Sequence, residues 1–439
     1  MTVEVPFGDA TFPLEVPRGR RCVIVAQSRA PDAGGEWEDV VEEAMRAPIE
    51  ARPIREQRLH RARVAVVTDD WGRPTPAHRI IPLILRELAP TGVEDGRITF
   101  VTASGMHDPM SDAELRRKLG DDTVNRYACV SHDGGDWDML AFVGVSAWGT
   151  PMWVNRFVAE ADYRIGLGRV FPHVTHGYEG GYKLILPGVA GFDSILRDHS
   201  FNFSEDSVPG VHVNPSRIEA DQIGRMVGFD FLINVVVNVR SEPVRAFAGA
   251  VEPVHQRAIE FGDREVWGAE TGGLADVTIA SHGGGRVPTL GFDPETLRRA
   301  CAVTRPGGTV IMPTAARVAP IPDWRDGELA SDDLLDRLGR KEFGPRLEAL
   351  SFAELMRLHE RRDWPLSRRE IQWRAKAIRG EFYRRRWMRA ANEQRVVFTA
   401  RPQEALEAAL ERSDPDALVV IIPDGATTLP KTQLHQATA

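Results

Sequence analysis

The sequence is poor in cysteine: 439 residues contain three, Cys22, Cys129 and Cys301, an odd number with no CxxC spacing. That argues against a disulfide-stapled scaffold, gives no support for a thiolate zinc site, and fits a reducing compartment. Long apolar runs are missing too. The longest, Phe231–Val239 and Ala417–Pro423, are strand-length, well short of the ~20 residues that span a bilayer. The start, MTVEVPFGDATFPLEVPRGR, has no apolar h-region, so a secretory signal is not expected. There is no excess of positive charge either. The 55 Lys and Arg stand against 63 Asp and Glu, a net charge of −8. General nucleic-acid binding needs a basic footprint. The one arginine-dense stretch, Arg357–Arg389, carries apolar residues at roughly helical spacing and reads as a solvated or interdomain helix face. The expectation is a cytoplasmic protein with neither membrane nor nucleic acid as partner.

What is present is an ordinary globular composition, 42% apolar and 27% charged. At roughly 150 residues per domain the length predicts two to three domains. The first sixty residues read as turn-rich, with a helix near Glu36–Met45. Strand-like runs then alternate with helical patterns. Arg63–Thr68 is a strand, Ala77–Leu88 a helix, and Ile98–Ala103 a strand. Ser111 and Glu114 form a capping box opening the next helix. Tyr127–Ser131, Tyr163–Gly168 and Phe231–Val239 are further strands. Glycines at Gly268–Gly273 mark a boundary, followed by strand Ala275–Ala280, helix Asp293–Val303 and strand Thr309–Met312. Helical segments are predicted over about 328–390. Strand Arg395–Thr399, helix Gln403–Arg412 and strand Ala417–Ile422 complete the pattern. Such alternation predicts the α/β class: two α/β domains with largely parallel sheets. The boundaries read as 1–270, 271–425 and a loose polar tail at 426–439.

Polar residues cluster just after the strands. Asp70 and Arg73 follow the first, His107 the second, and His173 and His176 follow Tyr163–Gly168. Ligands of open α/β sheets bind outside the carboxyl ends of the strands, so these loops are candidates for one site. The densest segment holds His173, His176, Lys183 and His199 among Gly177, Gly180, Gly181, Gly188 and Gly191. Glycine-rich backbone offers close approach and N–H groups for phosphate. A lysine there can be a phosphate-binding charge or a point of covalent attachment. Histidines can serve as acid, base or metal ligand. The scattered His60, His212, His255, His359 and His435 read as surface or hydrogen-bonded residues.

These strings resemble a known family. Asp70-Trp-Gly-Arg73-Pro-Thr-Pro76, then Gly105–His107, then His173, Lys183 and His199 with GYxGGxKxxLPG between them, are similar to the lactate racemase family. The resemblance runs from about residue 1 to 315 and continues more faintly beyond. It implies two α/β domains with the active site in the cleft between them. It also implies a nickel-pincer nucleotide, a pyridinium mononucleotide with two sulfur-containing arms that hold nickel through carbon and sulfur.

On this resemblance Lys183 holds the cofactor through a thioamide bond and His199 ligates nickel, with Asp70, Gly180 and Gly181 supporting the cofactor. His107 and His173 are the acid/base pair, and Arg73 grips the substrate carboxylate. Trp373 resembles a tryptophan near the substrate. The implied partners are a 2-hydroxy acid and cofactor-biosynthesis proteins. The chemistry is coherent: a C2–H is a weak acid, so inversion through oxidation and re-reduction avoids a carbanion. An imidazole near pKa ~6.5 can move the hydroxyl proton both ways. The chain departs from the family where lactate-type members carry a Gln and a Lys. Arg299 and Ala302 stand there, with Arg298 adjacent; His282 and Tyr182 differ as well. That predicts a substrate other than lactate, malate-like or a sugar acid, contacted by Arg298 or Arg299. The competing readings are a zinc hydrolase built on His107, His173 and His176 or His199, and a non-catalytic cofactor-binding protein.

Overall fold

The computed structural model describes residues 1–25, 37–201, 204, 206–238, 240–284, 293–314 and 393–432. The chain begins with strands β1 (Thr2–Gly8), β2 (Ala10–Glu15) and β3 (Arg21–Ile24), then helix α1 (Glu38–Arg46), β4 (Val64–Asp69), α2 (Ala77–Leu88) and β5 (Ile98–Ala103). Helices α3 (Asp112–Leu119) and α4 (Asp121–Arg126) lead to β6 (Ala128–Ser131), hairpin strands β7 (Leu140–Val145) and β8 (Pro151–Asn155), α5 (Arg156–Ala159) and β9 (Tyr163–Arg169). Short strands β10 (Pro172–His173) and β11 (Gly177–Tyr178) precede α6 (Phe192–Ser200), α7 (Pro215–Val227), β12 (Phe231–Val237), β13 (Pro243–Gly249) and α8 (Val251–Glu265). The remainder is β14 (Gly268–Glu270), β15 (Ala275–Ala280), β16 (Gly283–Gly284), α9 (Pro294–Ala302), β17 (Thr304–Pro313), β18 (Arg395–Thr399), α10 (Pro402–Leu410), β19 (Leu418–Ile422) and β20 (Leu429–Lys431).

Two compact units result. The larger is built on a six-stranded sheet in the order β13-β12-β9-β4-β5-β6. All its pairings are parallel except β12 with β13. The central strand β4, VAVVTD, is buried along its whole length. It is covered on both faces, which is why its sequence is continuously apolar rather than alternating. On one face Val64, Val66, Phe100, Ile165 and Ile233 pack with Ile80 and Ile84 of α2 and Val41 of α1. On the other, Val67, Val101 and Leu232 meet Leu184, Ile195 and Ile223. The capping box of α3 is complete, Ser111 and Glu114 each satisfying the other's backbone N–H. Every loop after β4, β5 and β9 leaves at the same sheet edge, because these strands are parallel neighbours.

The second unit carries a five-stranded parallel sheet, β18-β17-β15-β19-β3. Helix α9 covers one face through Leu297 and Ala300. Helix α10 and the β1–β2 hairpin cover the other, through Leu406, Val5 and Leu14. This corrects two expectations. The opening residues are not turns but strands, and β3 pairs with β19, so residues 1–25 belong with the second unit rather than with a domain spanning 1–270. The segment after residue 425 is not a loose tail as far as residue 432. Leu429 is buried and β20 pairs with β14, Gly268 opposite Leu429. The β7–β8 hairpin, outside both main sheets, is an addition to the predicted pattern. The helices predicted over 328–390, and the stretch Arg357–Arg389, lie outside the described residues.

One glycine is indispensable to the placement of His173. Gly177 pairs with His173 across the β10–β11 ladder. Its φ is +73°, and a Cβ there would sit 2.0 Å from the Val211 carbonyl oxygen. Gly177→Ala is expected to destabilise the larger unit by more than the ~1–3 kcal/mol of the backbone conformation alone. Urea unfolding followed by circular dichroism measures this.

Candidate active site

The loop after β4 is fixed from beneath. Lys118 of α3 donates to Asp69 Oδ1 at 2.6 Å and to the carbonyls of Arg73 and Thr75 at 2.9 and 3.1 Å. Thr75 Oγ1 donates to the other oxygen of Asp69 at 2.5 Å. A buried lysine with three oxygen partners makes a rigid pedestal. On it, Asp70 is 3% exposed and accepts from the Gly72 N–H at 3.2 Å. Its Oδ2 lies 2.5 Å from Nδ1 of His107, which follows β5. Burial alone would raise the Asp70 carboxyl. The His107 hydrogen bond and the charges of His107, Arg73 and Lys118 outweigh it and hold the group below its usual range. Asp70 is therefore a carboxylate, Nδ1 of His107 carries the donated proton, and Nε2 points its lone pair elsewhere. The His107 side chain keeps 53% of its surface exposed, and Gly105 anchors its loop by donating to the Gly188 carbonyl at 2.8 Å.

Arg73, three residues on, meets Glu179 at 2.7 Å through Nε. Arg169, at the end of β9, takes the other oxygen of Glu179 at 2.6 Å. Burial opposes ionisation of Glu179, but Arg169, Arg73 and Lys183 outweigh it and bring the carboxyl down to about 2. Lys183 lies in a single helical turn, Gly181–Leu184. Desolvation, reinforced by Arg73 and Arg217 and only partly offset by Glu179 and Asp198, lowers its amine to about 7. His173 Nδ1 accepts from the backbone N–H groups of Thr175 and His176, each at 3.3 Å. Its ring centroid is 5.4 Å from that of His176. His176 Nε2 is 3.1 Å from Asp198 Oδ2, both buried. Next to Asp198, on the last turn of α6, is His199, 6% exposed.

The structure thus joins Asp70, Arg73, His107, His173, Lys183 and His199 through one chain of direct contacts and charge interactions. Sequence reasoning missed Glu179, Arg169, Lys118 and Asp198. Glu179 stands in the same glycine-rich string as Lys183 and could have been found there. Lys118 sits in a run of basic residues on α3 and carries no such signal. Gly180 and Gly181 are tight for a different reason from the expected one. A Cβ on Gly180 would meet Val170, and one on Gly181 the His255 ring, at 2.8 and 3.0 Å. The Gly181 N–H already donates to Asn234 Oδ1 at 3.2 Å. Their smallness serves packing, and that N–H is not offered to a phosphate.

In the second unit Arg299 is 5% exposed. Its Nη1 donates to the carbonyls of Gly425, Ala426 and Thr428 at 2.6, 3.1 and 3.1 Å. Arg298 pairs with Glu295 at 3.0 Å. The first is a loop brace and the second is already neutralised, so neither is presented to a substrate as expected. Trp373 lies outside the described residues. Among the described residues no three His, Cys, Asp or Glu side chains are grouped to hold a metal ion, so nothing there favours the zinc-hydrolase reading.

A model of the lactate racemase N-terminal domain matches residues 7–209. The chain is 29% identical to the lactate racemase of Lactiplantibacillus plantarum over 310 residues, 70% of this chain and 71% of that one. It is 26% identical to the lactate racemase of Thermoanaerobacterium thermosaccharolyticum over 286 residues, 64% of this chain. The chain thus resembles the lactate racemases, with residues 7–209 carrying the match to their N-terminal domain. The match spans 66% of the T. thermosaccharolyticum relative, just under two thirds. The solved lactate racemase apoprotein from that organism shares the fold, with a TM-score of 0.72 at 22% identity, covering 98% of this chain and all of that one. No helix among the described residues is long and apolar enough to cross a membrane.

Glu179 is the anion that lets Arg73 and Arg169 lie side by side. Glu179→Gln is expected to destabilise the protein by about 3 kcal/mol, the usual result of stripping one partner from a buried pair. The folded-state pKa is depressed, so the stabilisation is present above the ordinary glutamate range. It is lost as pH falls toward about 2. Urea midpoints at pH 7 and pH 4 should therefore converge between wild type and variant as the solution becomes acid.

Proposed function

We propose that the chain racemises or epimerises a 2-hydroxy acid at C2 by reversible hydride transfer involving a covalently bound nickel-pincer nucleotide. The observation that carries this reading is the placement of a desolvated Lys183, with an amine near 7, in one network with the Asp70–His107 pair and Arg73. An ordinary lysine is almost wholly protonated at neutral pH. Desolvation and the neighbouring arginines favour the neutral amine here, the form that makes an amide-like bond to a thiocarboxyl arm. His199 is a buried imidazole, and among the described residues no three His, Cys, Asp or Glu side chains are grouped to hold a metal ion. That suits a nickel whose other ligands arrive with the cofactor, and imidazole suits nickel. The residues therefore fit the group: Lys183 would tether it and His199 would ligate its metal. When bound, the group supplies a hydride acceptor.

The chain's own residues do the rest. Asp70 holds His107 with Nε2 as an acceptor for the substrate hydroxyl proton. Arg73, Arg169 and Glu179 sum to one net positive charge at the site. Arg73 can thus still attract a substrate carboxylate, and a guanidinium binds one through two parallel hydrogen bonds. Retaining the keto acid between oxidation and re-reduction depends on that grip. The substrate is a small 2-hydroxy acid. Its preference for a larger acid over lactate now rests on the missing Gln and Lys alone, because Arg298 and Arg299 are engaged elsewhere. A reducing, cytoplasmic location is supported by three free cysteines. Loading would draw on cofactor-biosynthesis proteins.

Four measurements test the reading. Co-expression with cofactor-making enzymes should give protein with added mass confined to the Lys183 peptide. His199→Ala should lose most nickel by elemental analysis while its far-UV spectrum is kept. The loaded enzyme should invert at least one member of a panel of enantiopure lactate, malate and sugar acids, followed by chiral chromatography. His107→Ala should lower that rate by ~10²–10⁴-fold. A nickel-loaded, active enzyme with an unmodified Lys183 contradicts the attachment. A His107→Ala enzyme at wild-type speed contradicts the proton-transfer role.

A further inference from the structure

The β7–β8 hairpin stands outside both main sheets, and only its inner face is covered by the larger unit. Met152 and Val154 are fully buried in that unit's core, and Val143 packs against the same cluster. The ladder is irregular between Phe142 and Gly144: Phe142 lies opposite Trp153 and Val145 opposite Pro151, with Val143 as the extra residue. One extra residue resets the alternation of faces. Phe142, Val145, Pro151 and Trp153 therefore share the outer face. Trp137, just before β7, extends it. Its ring meets that of Trp153 edge-on at 5.0 Å, and the Phe142 ring lies 5.1 Å from the same indole. Trp137, Phe142 and Val145 keep 55%, 53% and 50% of their surface exposed. The solvent face of an antiparallel pair is ordinarily polar; here the outward residues are apolar. They offer on the order of 400 Å² of contiguous apolar surface, the size at which a patch marks an interaction site. On its far side β8 is bridged to Ala190 through Val154. No strand lies beyond β7 among the described residues.

Charge is uneven along the hairpin. Asp136 and Asp138 flank Trp137 at the open end, where β7 begins. Arg156, also at that end, is turned to the Leu140 carbonyl at 3.4 Å and lies 4.0 Å from Glu160. At the closed end Arg197 donates to the Trp148 carbonyl at 3.4 Å and covers the Phe201 ring at 5.4 Å. A two-fold axis running across the strands sets the acidic end of one hairpin opposite the Arg197 end of its copy. We propose that the outer face of the β7–β8 hairpin joins two copies of this chain in an isologous dimer, the hairpins antiparallel and their aromatic clusters in contact. Such a contact uses the same patch twice and closes at two copies. Two patches of this size with their polar rims bury about 1,000–1,200 Å² in total, the lower end of specific interfaces, so the dimer dissociates in the micromolar range. A membrane is the poorer occupant. The chain carries a net charge of −8, and Asp136 and Asp138 at the rim would face negative headgroups. The inference concerns the hairpin alone and is independent of the racemase reading.

Analytical ultracentrifugation of the full chain between about 1 and about 200 µM tests this. The expected mass rises with concentration from 48.7 kDa to twice that value and stops there. A chain that stays at 48.7 kDa throughout overturns the proposal, and so does growth beyond two copies. A monomer that instead floats with phosphatidylcholine–phosphatidylglycerol vesicles overturns it in favour of a membrane. Phe142→Arg and, separately, Val145→Arg place a charge on the outer face of each copy. Each should raise the dissociation constant at least ~100-fold, since symmetry counts the loss twice. Both side chains are half exposed, so the far-UV circular dichroism should be kept, and either variant suffices if the other fails to fold. A dimer of wild-type strength in the folded variants means that another face is used, and the proposal falls. Asp138→Arg should weaken the dimer by about 10-fold at low salt, two rim pairs being lost, and by less in 1 M salt. An Asp138→Arg dimer as tight as wild type overturns the antiparallel arrangement.

Discussion

Glu179 is the interaction on which the site depends. Around it are three cationic side chains, Arg73, Arg169 and Lys183, and Arg217 adds a further positive charge near Lys183. Bringing like charges into a desolvated space is unfavourable, and the protein resolves it in two ways. Glu179 stays ionised down to about 2 and divides its oxygens between Arg73 and Arg169. Lys183 gives way instead, and its amine falls to about 7. Arginine cannot release its proton at any ordinary pH, whereas lysine can. The identity of each cation thus decides which one can give up its charge.

The scaffold beneath serves the same end. Parallel strands β4, β5 and β9 are neighbours, so the loops bearing Arg73, His107 and His173 leave one edge of the sheet. Proximity by topology would still allow each loop to wander. The buried contacts prevent that: Lys118 under the Asp70 loop, Gly105 to Gly188 under the His107 loop, and the Gly177 turn under His173. Each is a backbone-level constraint, and none touches the expected chemistry. Residues that hold the loops therefore matter as much to function as those that face the substrate.

Much of this was legible in the sequence, and the reasons are physical. Strands such as VAVVTD and ITFVTA are buried on both faces, so they announce themselves as apolar runs. Ser111 with Glu114 spells out a helix start. Asp70, Arg73 and His107 stand out because they follow β4 and β5 directly, and His173, Lys183 and His199 because they crowd one glycine-rich segment. Pairings across long separations left no local trace. The match of β3 with β19, the β14–β20 pair and the lodging of Lys118 beneath Asp69 arise only when distant segments meet. Arg299 shows the opposite failure. An arginine replacing a substrate-contacting residue invites a binding role, yet a guanidinium has five donors and here uses one nitrogen to tie down three carbonyls of a neighbouring loop. Gly180 and Gly181 mislead in the same manner, since the absence of a side chain can admit a ligand or merely the protein's own His255 and Val170.

The electrostatic state of Lys183 also bears on how a site of this kind can be loaded after folding. Acylating an ordinary lysine removes a full positive charge and, in a buried network, the partner of some anion. Here the ammonium is already disfavoured by desolvation, by Arg73 and by Arg217, and Glu179 keeps two arginines with or without it. On the proposed attachment, conversion of the amine to a neutral amide-like group would leave the Glu179 pairs with Arg73 and Arg169 in place, removing the repulsion of Arg73 and Arg217 together with the smaller attraction of Glu179 and Asp198. Asp70 and His107 are insulated from the change, because their mutual hydrogen bond and the Lys118 pedestal do not involve Lys183. A folded, unloaded protein and a loaded one can thus share the same positions for Arg73 and His107. That is the condition under which a cofactor attached late still meets a site already arranged for its substrate.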